Sequence, residues 1–243
     1  MDEHGKHDRH GDRHGHADRH AGHGPSTPVH QRGAHGHGQP GHGHHNGAYR
    51  NPEDLDAYVK RQLDPARAEW QKPDRVLRTL GLRRGAVVAD IGAGAGFWVL
   101  KLARAVGREG HVYAVEPEPQ LIAVLRERLT TARMSNVSPV LGRDDDPMLP
   151  AGVCDVVLIV NTYHHFPDGP AFLRKVARLL RRGGAIVNID FAKRETPVGP
   201  PVEHRVARED FLRDARRAGL RLVAEHDFLP HQYFLVLKPS RVR

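Results

Sequence analysis

Between residues 87 and 103 the chain reads VVADIGAGAGFWVLKLA, an apolar run, then three alternating glycines, then residues at helical spacing. No other segment restricts the fold so tightly. A short, continuously apolar run suits a strand covered on both faces, and one that feeds through a glycine loop into a helix opens a parallel α/β sheet. Gly92, Gly94 and Gly96 let the backbone turn tightly and let a ligand approach the main chain at the strand's carboxyl end, where open α/β sheets bind their ligands. Asp90 stands at the strand tip, and the helix start that follows favours an anionic group such as a carboxylate.

The flanking sequence keeps to this pattern. Strand-like runs at 86–91, 111–116 and 137–141 alternate with helix-like segments at 95–106 and 119–132, a parallel βαβαβ half. A second half reads as strand 154–160, helix 169–180, a turn at Gly183 and Gly184, and strand 185–190. Helix 209–218, closed by Gly219, leads to strands at 220–227 and 233–237. The link 228–232 is too short for a crossover helix, so these last strands pair antiparallel. Before the first strand, Pro52, Glu53 and Asp54 form an acidic turn opening a helix with Leu55, Tyr58, Val59 and Leu63 on one face. After a connection at 64–72, Pro73 opens a second helix through Val76, Leu77 and Leu80, ended by Gly81.

Residues 1–47 cannot share that core. They are almost entirely His, Gly, Asp, Arg, Pro and Ala, hold 13 of the chain's 19 histidines, and lack the apolar surface to offset the entropy of ordering. The expected organisation is a disordered tail, 1–47, and one domain, 48–243, with helices at 48–82 folding over a core at 83–239. Imidazoles at such density bind nickel, zinc or copper, so transition-metal binding by the tail is expected, as storage, sensing or a pH-responsive appendage. Metal ligands are expected nowhere else.

The formal net charge is +8. Residues 1–50 carry six Lys/Arg against five acids, and the other arginines are scattered along helical segments without interleaved aromatics, which disfavours a nucleic-acid partner. Cys154, the single cysteine, excludes an internal disulfide and a thiolate zinc cluster, and opens an apolar strand as a small hydrophobe. No run suffices to span a membrane and no apolar signal core precedes the domain, so a cytoplasmic location is expected.

The second strand ends in VYAVEPEPQ, with Glu116 two dozen residues after Gly92, where a carboxylate can accept from both hydroxyls of a ribose. That would also suit a nicotinamide enzyme, but the dinucleotide fingerprint wants a third glycine where Phe97 stands, and Gly96 comes one position early. Asp90 with the GxGxG loop resembles motif I of the class I S-adenosylmethionine-dependent methyltransferases, and Glu116 resembles the acidic residue of their second motif. The resemblance covers roughly residues 73–239. It implies an α/β fold, a Rossmann-like, doubly wound, seven-stranded and mostly parallel sheet in the order 3-2-1-4-5-7-6 with a terminal antiparallel hairpin.

The same resemblance implies S-adenosyl-L-methionine as cofactor, held by Asp90, Gly92, Ala93, Gly94 and Gly96, and by Glu116 with Pro117. Residues 142–150 are similar to the family's GDAxxLP segment, with Arg143 where an Asp is usual and Asp144 where an Ala is usual. Asp144 is the first candidate for the adenine amine and Asp145 the second. NTYHHFPD, residues 161–168, resembles the xxLHH segment of the ubiquinone and menaquinone methyltransferases. His164 or His165 would take a proton from an acceptor oxygen or nitrogen, or pack against the cofactor. Asn161 and Tyr163 are positioning candidates, Asn161 also toward the cofactor. Tyr49, Tyr58 and Trp70 supply aromatic surface either for a lid over the site or for the core.

The functional expectation is in-line methyl transfer to a small-molecule acceptor. The alternatives are a metal-binding protein on a catalytically inert scaffold and a nicotinamide oxidoreductase.

Overall fold

The computed structural model describes residues 54–240. The histidine-rich segment 1–47 and Tyr49 lie outside the described residues. Three helices come first: α1 (Leu55–Leu63), α2 (Arg67–Gln71) and α3 (Pro73–Leu80). The Asp54 carboxylate caps α1 by accepting from the Ala57 N–H at 2.9 Å, and Gly81, at φ 57°, ends α3. The segment expected as a plain connection, 64–72, contains α2.

The sheet then alternates with helices: β1 (Val87–Ile91), α4 (Val99–Val106), β2 (His111–Glu116), α5 (Pro119–Thr131), β3 (Val137–Leu141), β4 (Cys154–Val160), α6 (Gly169–Arg178), β5 (Leu180–Phe191), α7 (Arg208–Arg217), β6 (Leu220–His226) and β7 (Gln232–Pro239). The strand order is β3-β2-β1-β4-β5-β7-β6. β7 runs antiparallel to both β5 and β6, and the other neighbours are parallel. This is the doubly wound architecture expected.

Residue alternation along the strands divides the core into two layers. In β4, Val157 and Ile159 pack with Leu173 and Val176 of α6 and Phe211 of α7, while Leu158 and Val160 pack with Val99 and Leu102 of α4 and Leu125 of α5. Both faces of the sheet are therefore covered, and the buried acids Asp90, Glu116 and Asp190 stand at or near the carboxyl ends of their strands. Burying side chains of this size stabilises the fold by about 1.5–3 kcal/mol each.

Two boundaries differ from expectation. The helix after β1 begins at Val99 rather than residue 95, because the loop residues stay in turn conformation through Trp98. The Gly183 and Gly184 turn lies inside β5. Cys154 pairs with Leu180 but Val156 pairs with Ala185, so the surplus residues are absorbed in a bulge. Among the described residues no helix is long and apolar enough to cross a membrane.

Candidate active site

The carboxyl ends of the parallel strands stand in a row, and a cavity of about 790 Å³ runs along it. It begins at Gly142 and Asp144 beyond β3, passes Glu116 and Pro117 at β2 and Gly92 and Ala93 at β1, and continues past Asn161, Thr162 and His164 after β4 to Phe191. Tyr58 and Gln62 of α1, Arg67 and Trp70 of α2, and residues 197–200 supply further wall. α1 has no buried residue, so Tyr58 serves the cavity wall rather than a core.

The glycine loop is bent over β2 by its own main chain. The N–H groups of Gly92 and Ala93 both donate to the Val115 carbonyl, at 2.9 and 3.0 Å. Gly92 lies at φ 74°, and a Cβ there would overlap the Thr162 side chain. Gly94, at φ 54°, leaves the space that the Gln62 amide fills, and Gln62 Oε1 accepts from Ala95 N–H at 2.7 Å. Gly96 faces Leu125 and Arg128 instead of the cavity.

Glu116 is 3 % exposed, and its carboxylate is pinned by two backbone donors, Gly94 N–H to Oε2 at 2.8 Å and Glu118 N–H to Oε1 at 3.1 Å. Each oxygen keeps a lone pair for a hydroxyl donor. Burial, only partly offset by those hydrogen bonds, pushes the carboxyl up to about 7. Asp90, at the tip of β1, is also buried; desolvation first and the Glu116 charge second push it up to about 7, against the pull of Arg67. Among the described residues its Oδ2 has no hydrogen-bond partner. Two buried carboxyls beside a glycine loop fit a ligand that brings positive charge and hydroxyl donors. S-adenosylmethionine carries a sulfonium, an ammonium and a ribose.

After β3, Arg143 and Asp146 exchange two backbone hydrogen bonds, which puts Asp144 and Asp145 at the turn between them. Asp144 lines the cavity. Asp145 does not: it is turned to solvent and pairs with Lys175 at 3.1 Å.

The loop after β4 also divides its residues. Asn161, at φ 53°, lines the cavity while its Oδ1 accepts from Gln232 Nε2 at 2.7 Å. Tyr163 points away: it is fully buried, packs edge-on to Phe211, and donates its hydroxyl to Asp214 Oδ2 at 2.9 Å, a core role rather than the positioning role expected. His164 and His165 both line the cavity, their ring centroids 4.1 Å apart. His164 Nδ1 lies 3.6 Å from Asp190 Oδ2 at the end of β5, neither atom having a hydrogen-bond partner. Burial, with the neighbouring His164, pulls His165 down to about 4.

Sequence patterning gave no sign of Gln62, Arg67, Thr162 or Asp190, because each acquires its role only when distant segments meet. The buried Trp98 indole Nε1, on the same wall, has no partner either. Among the described residues no group of three or more His, Cys, Asp or Glu could hold a metal ion, and the histidines expected to bind one lie in residues 1–47. Cys154 is buried, and its thiol is pushed up to about 12 by desolvation, which makes it inert.

Residues 88–184 match a family model described as a methyltransferase domain. The chain is 28 % identical over 129 residues to a demethylmenaquinone methyltransferase of Listeria monocytogenes, covering 53 % of this chain and 54 % of that protein. A Staphylococcus aureus protein of the same name is 30 % identical over 129 residues, covering 53 % and 52 %. The chain thus spans about half the length of the curated relatives it matches. Among solved structures, a SAM-dependent methyltransferase from Aquifex aeolicus superposes with a TM-score of 0.72 at 26 % identity, covering 76 % of this chain and 98 % of that one. These likenesses displace the nicotinamide reading. With the strand order and the loop between β1 and α4, they make the chain similar, in its fold and across residues 88–184, to the S-adenosylmethionine-dependent methyltransferases.

Proposed function

We propose that the protein transfers the methyl group of S-adenosylmethionine to a small, planar, largely apolar acceptor bearing an ionisable proton. The carrying observation is that a single cavity joins two chemically different halves. One half, at β3, β2 and β1, presents carboxylates and bare backbone; the other, past β4, presents His164, Trp70 and Phe191. The cofactor supplies a sulfonium-bound methyl that is electrophilic without further activation. Glu116 would hold the ribose hydroxyls, Asp144 the adenine amine, and Asp90 with Gly92, Ala93 and Gly94 the amino-acid end.

The protein's own work is then orientation, exclusion of water and removal of one proton. Fixing two reactants in attack geometry is worth up to roughly 7–11 kcal/mol of barrier. His164 is the better base of the two histidines. Asp190 lies on the Nδ1 side of its ring, which leaves Nε2 to take the proton and stabilises the imidazolium formed. His165, held near 4, stays neutral and serves as wall or hydrogen-bond partner. Trp70 and Phe191, with ring centroids 5.3 Å apart, supply aromatic surface for a flat substrate.

The relatives named above are demethylmenaquinone methyltransferases, which makes that compound, in its reduced form, the first acceptor to try. The test is transfer of labelled methyl from S-adenosylmethionine to this compound and to a panel of phenols and cell extracts, with products identified by mass. Label in a small ring compound, lost in the His164→Ala protein, is the expected result. Label found only in protein or nucleic acid would overturn the proposal.

A further inference from the structure

We propose that Arg67, on the lid helix α2, is the receptor for the carboxylate of the donor's amino-acid end, so that the donor fastens the lid by a charge it carries far from its reacting methyl. The inference rests on the donor-site reading above and adds a residue that no motif announces.

The placement follows from the strand order. If the adenosyl group lies against Glu116 at β2 and Asp144 beyond β3, the amino-acid end falls at β1, the next tip in the row. Among the described residues, two polar groups around that tip lack a hydrogen-bond partner and a third lacks a carboxylate. Asp90 Oδ2 is buried and accepts no hydrogen bond. Trp98 Nε1 is a buried donor without an acceptor. Arg67 is half-buried on the cavity wall, and among the described residues no carboxylate lies within ion-pair distance of it.

What Arg67 does touch fixes its position. Its guanidinium lies 4.4 Å from the Phe97 ring centroid and 5.9 Å from that of Trp70, and it donates to the Gln62 carbonyl. Phe97 belongs to the glycine loop, and the Gln62 side chain is bonded to the same loop at Ala95. Burial holds the guanidinium down to about 10, against the smaller opposing effects of Tyr58, Asp90 and Asp64. A guanidinium held by π faces and one carbonyl keeps donors free, and a carboxylate is the ligand that matches its fork. With the Asp90 carboxylate buried behind the cavity wall, where its charge favours an ammonium, and Arg67 on that wall for a carboxylate, the β1 tip is complementary to a zwitterionic amino acid.

Calorimetric titration of the full chain with two ligands isolates this contact. S-adenosylhomocysteine carries the amino-acid end; 5′-methylthioadenosine has the same adenosyl thioether without it. Arg67→Ala should weaken S-adenosylhomocysteine by at least about tenfold, leave 5′-methylthioadenosine within about twofold, and be partly rescued in Arg67→Lys. Retained binding of 5′-methylthioadenosine by the variant also shows that it is folded. In the unaltered chain, hydrogen exchange across residues 55–71 should slow with S-adenosylhomocysteine and much less with 5′-methylthioadenosine. Equal loss for both ligands, or loss for neither, would overturn the assignment while sparing the donor site. Failure of the unaltered chain to bind either ligand would overturn the donor site itself.

Discussion

The two halves of the cavity are built by opposite means. The proposed donor half is made of backbone and of carboxylates anchored to backbone, over short stretches of chain: Gly92 and Ala93 bend onto Val115, and Glu116 is held by Gly94 and Glu118. The proposed acceptor half is made of side chains from far-separated segments, with Trp70 from α2 meeting Phe191 at the end of β5, and His164 meeting Asp190. A site of the first kind is fixed by the fold and tolerates few changes. One of the second kind can be altered residue by residue without disturbing the sheet, so in this chain donor binding and acceptor chemistry should be separable by mutation.

The sharpest separation is His164→Ala. Loss of a general base should lower kcat by about 10²–10⁴ while S-adenosylhomocysteine affinity, read by calorimetry, stays within about twofold. A comparable loss of donor affinity would merge the two halves. Glu116→Ala should do the reverse, weakening the donor by roughly 10–100-fold through lost charge-assisted hydrogen bonds.

Gly92→Ala tests the backbone side of the comparison. A side chain at φ 74° that also overlaps Thr162 should cost about 1–3 kcal/mol of stability in denaturant titration, whereas loss of the His164 ring, on the acceptor side, should cost less.

A smaller effect comes from pH. Asp90 and Glu116 are raised from 3.8 and 4.5 to about 7, so between those values the folded chain binds more protons than the unfolded one. The stability of the ligand-free protein should therefore fall as pH rises through this window. Donor binding favours the ionised forms, so S-adenosylhomocysteine should raise Tm more at pH 8 than at pH 6. A shift independent of pH would remove these carboxyls from the site. The smallest effect is expected of Asp145→Ala, which removes only an exposed pair with Lys175 and should leave donor affinity within about twofold and stability within about 0.5 kcal/mol.

The same contrast decides what was legible in the sequence. The strand order, the terminal hairpin and the glycine loop beside Glu116 are written in local patterns, because such a loop and the acid at the end of the next strand are short-range features of a repeating βα unit. The loop after β4 was only half legible. Its histidines stand out as NTYHHF, but which side of the 3₁₀ turn at Tyr163–His165 faces the cavity depends on packing, and Tyr163 is drawn into the core by Phe211 and Asp214. Asp144 and Asp145 are ranked in sequence only by their place in the segment, whereas in the fold Lys175, thirty residues from Asp145, pairs with it outside the cavity that Asp144 lines. Gln62 and Arg67 had no pattern to betray them, since a residue of a cavity wall is defined by what it faces. α4 starts later than its apolar spacing implies, because that spacing extends back into a loop whose backbone is kept out of helix.

The account stands or falls on whether the crevice at β1 and β2 holds an adenosyl group. Calorimetry of the full chain with S-adenosylhomocysteine tests this directly. One molecule should bind per chain, with affinity lost in Glu116→Ala and kept in His164→Ala; no binding, or equal binding by all three proteins, would contradict it.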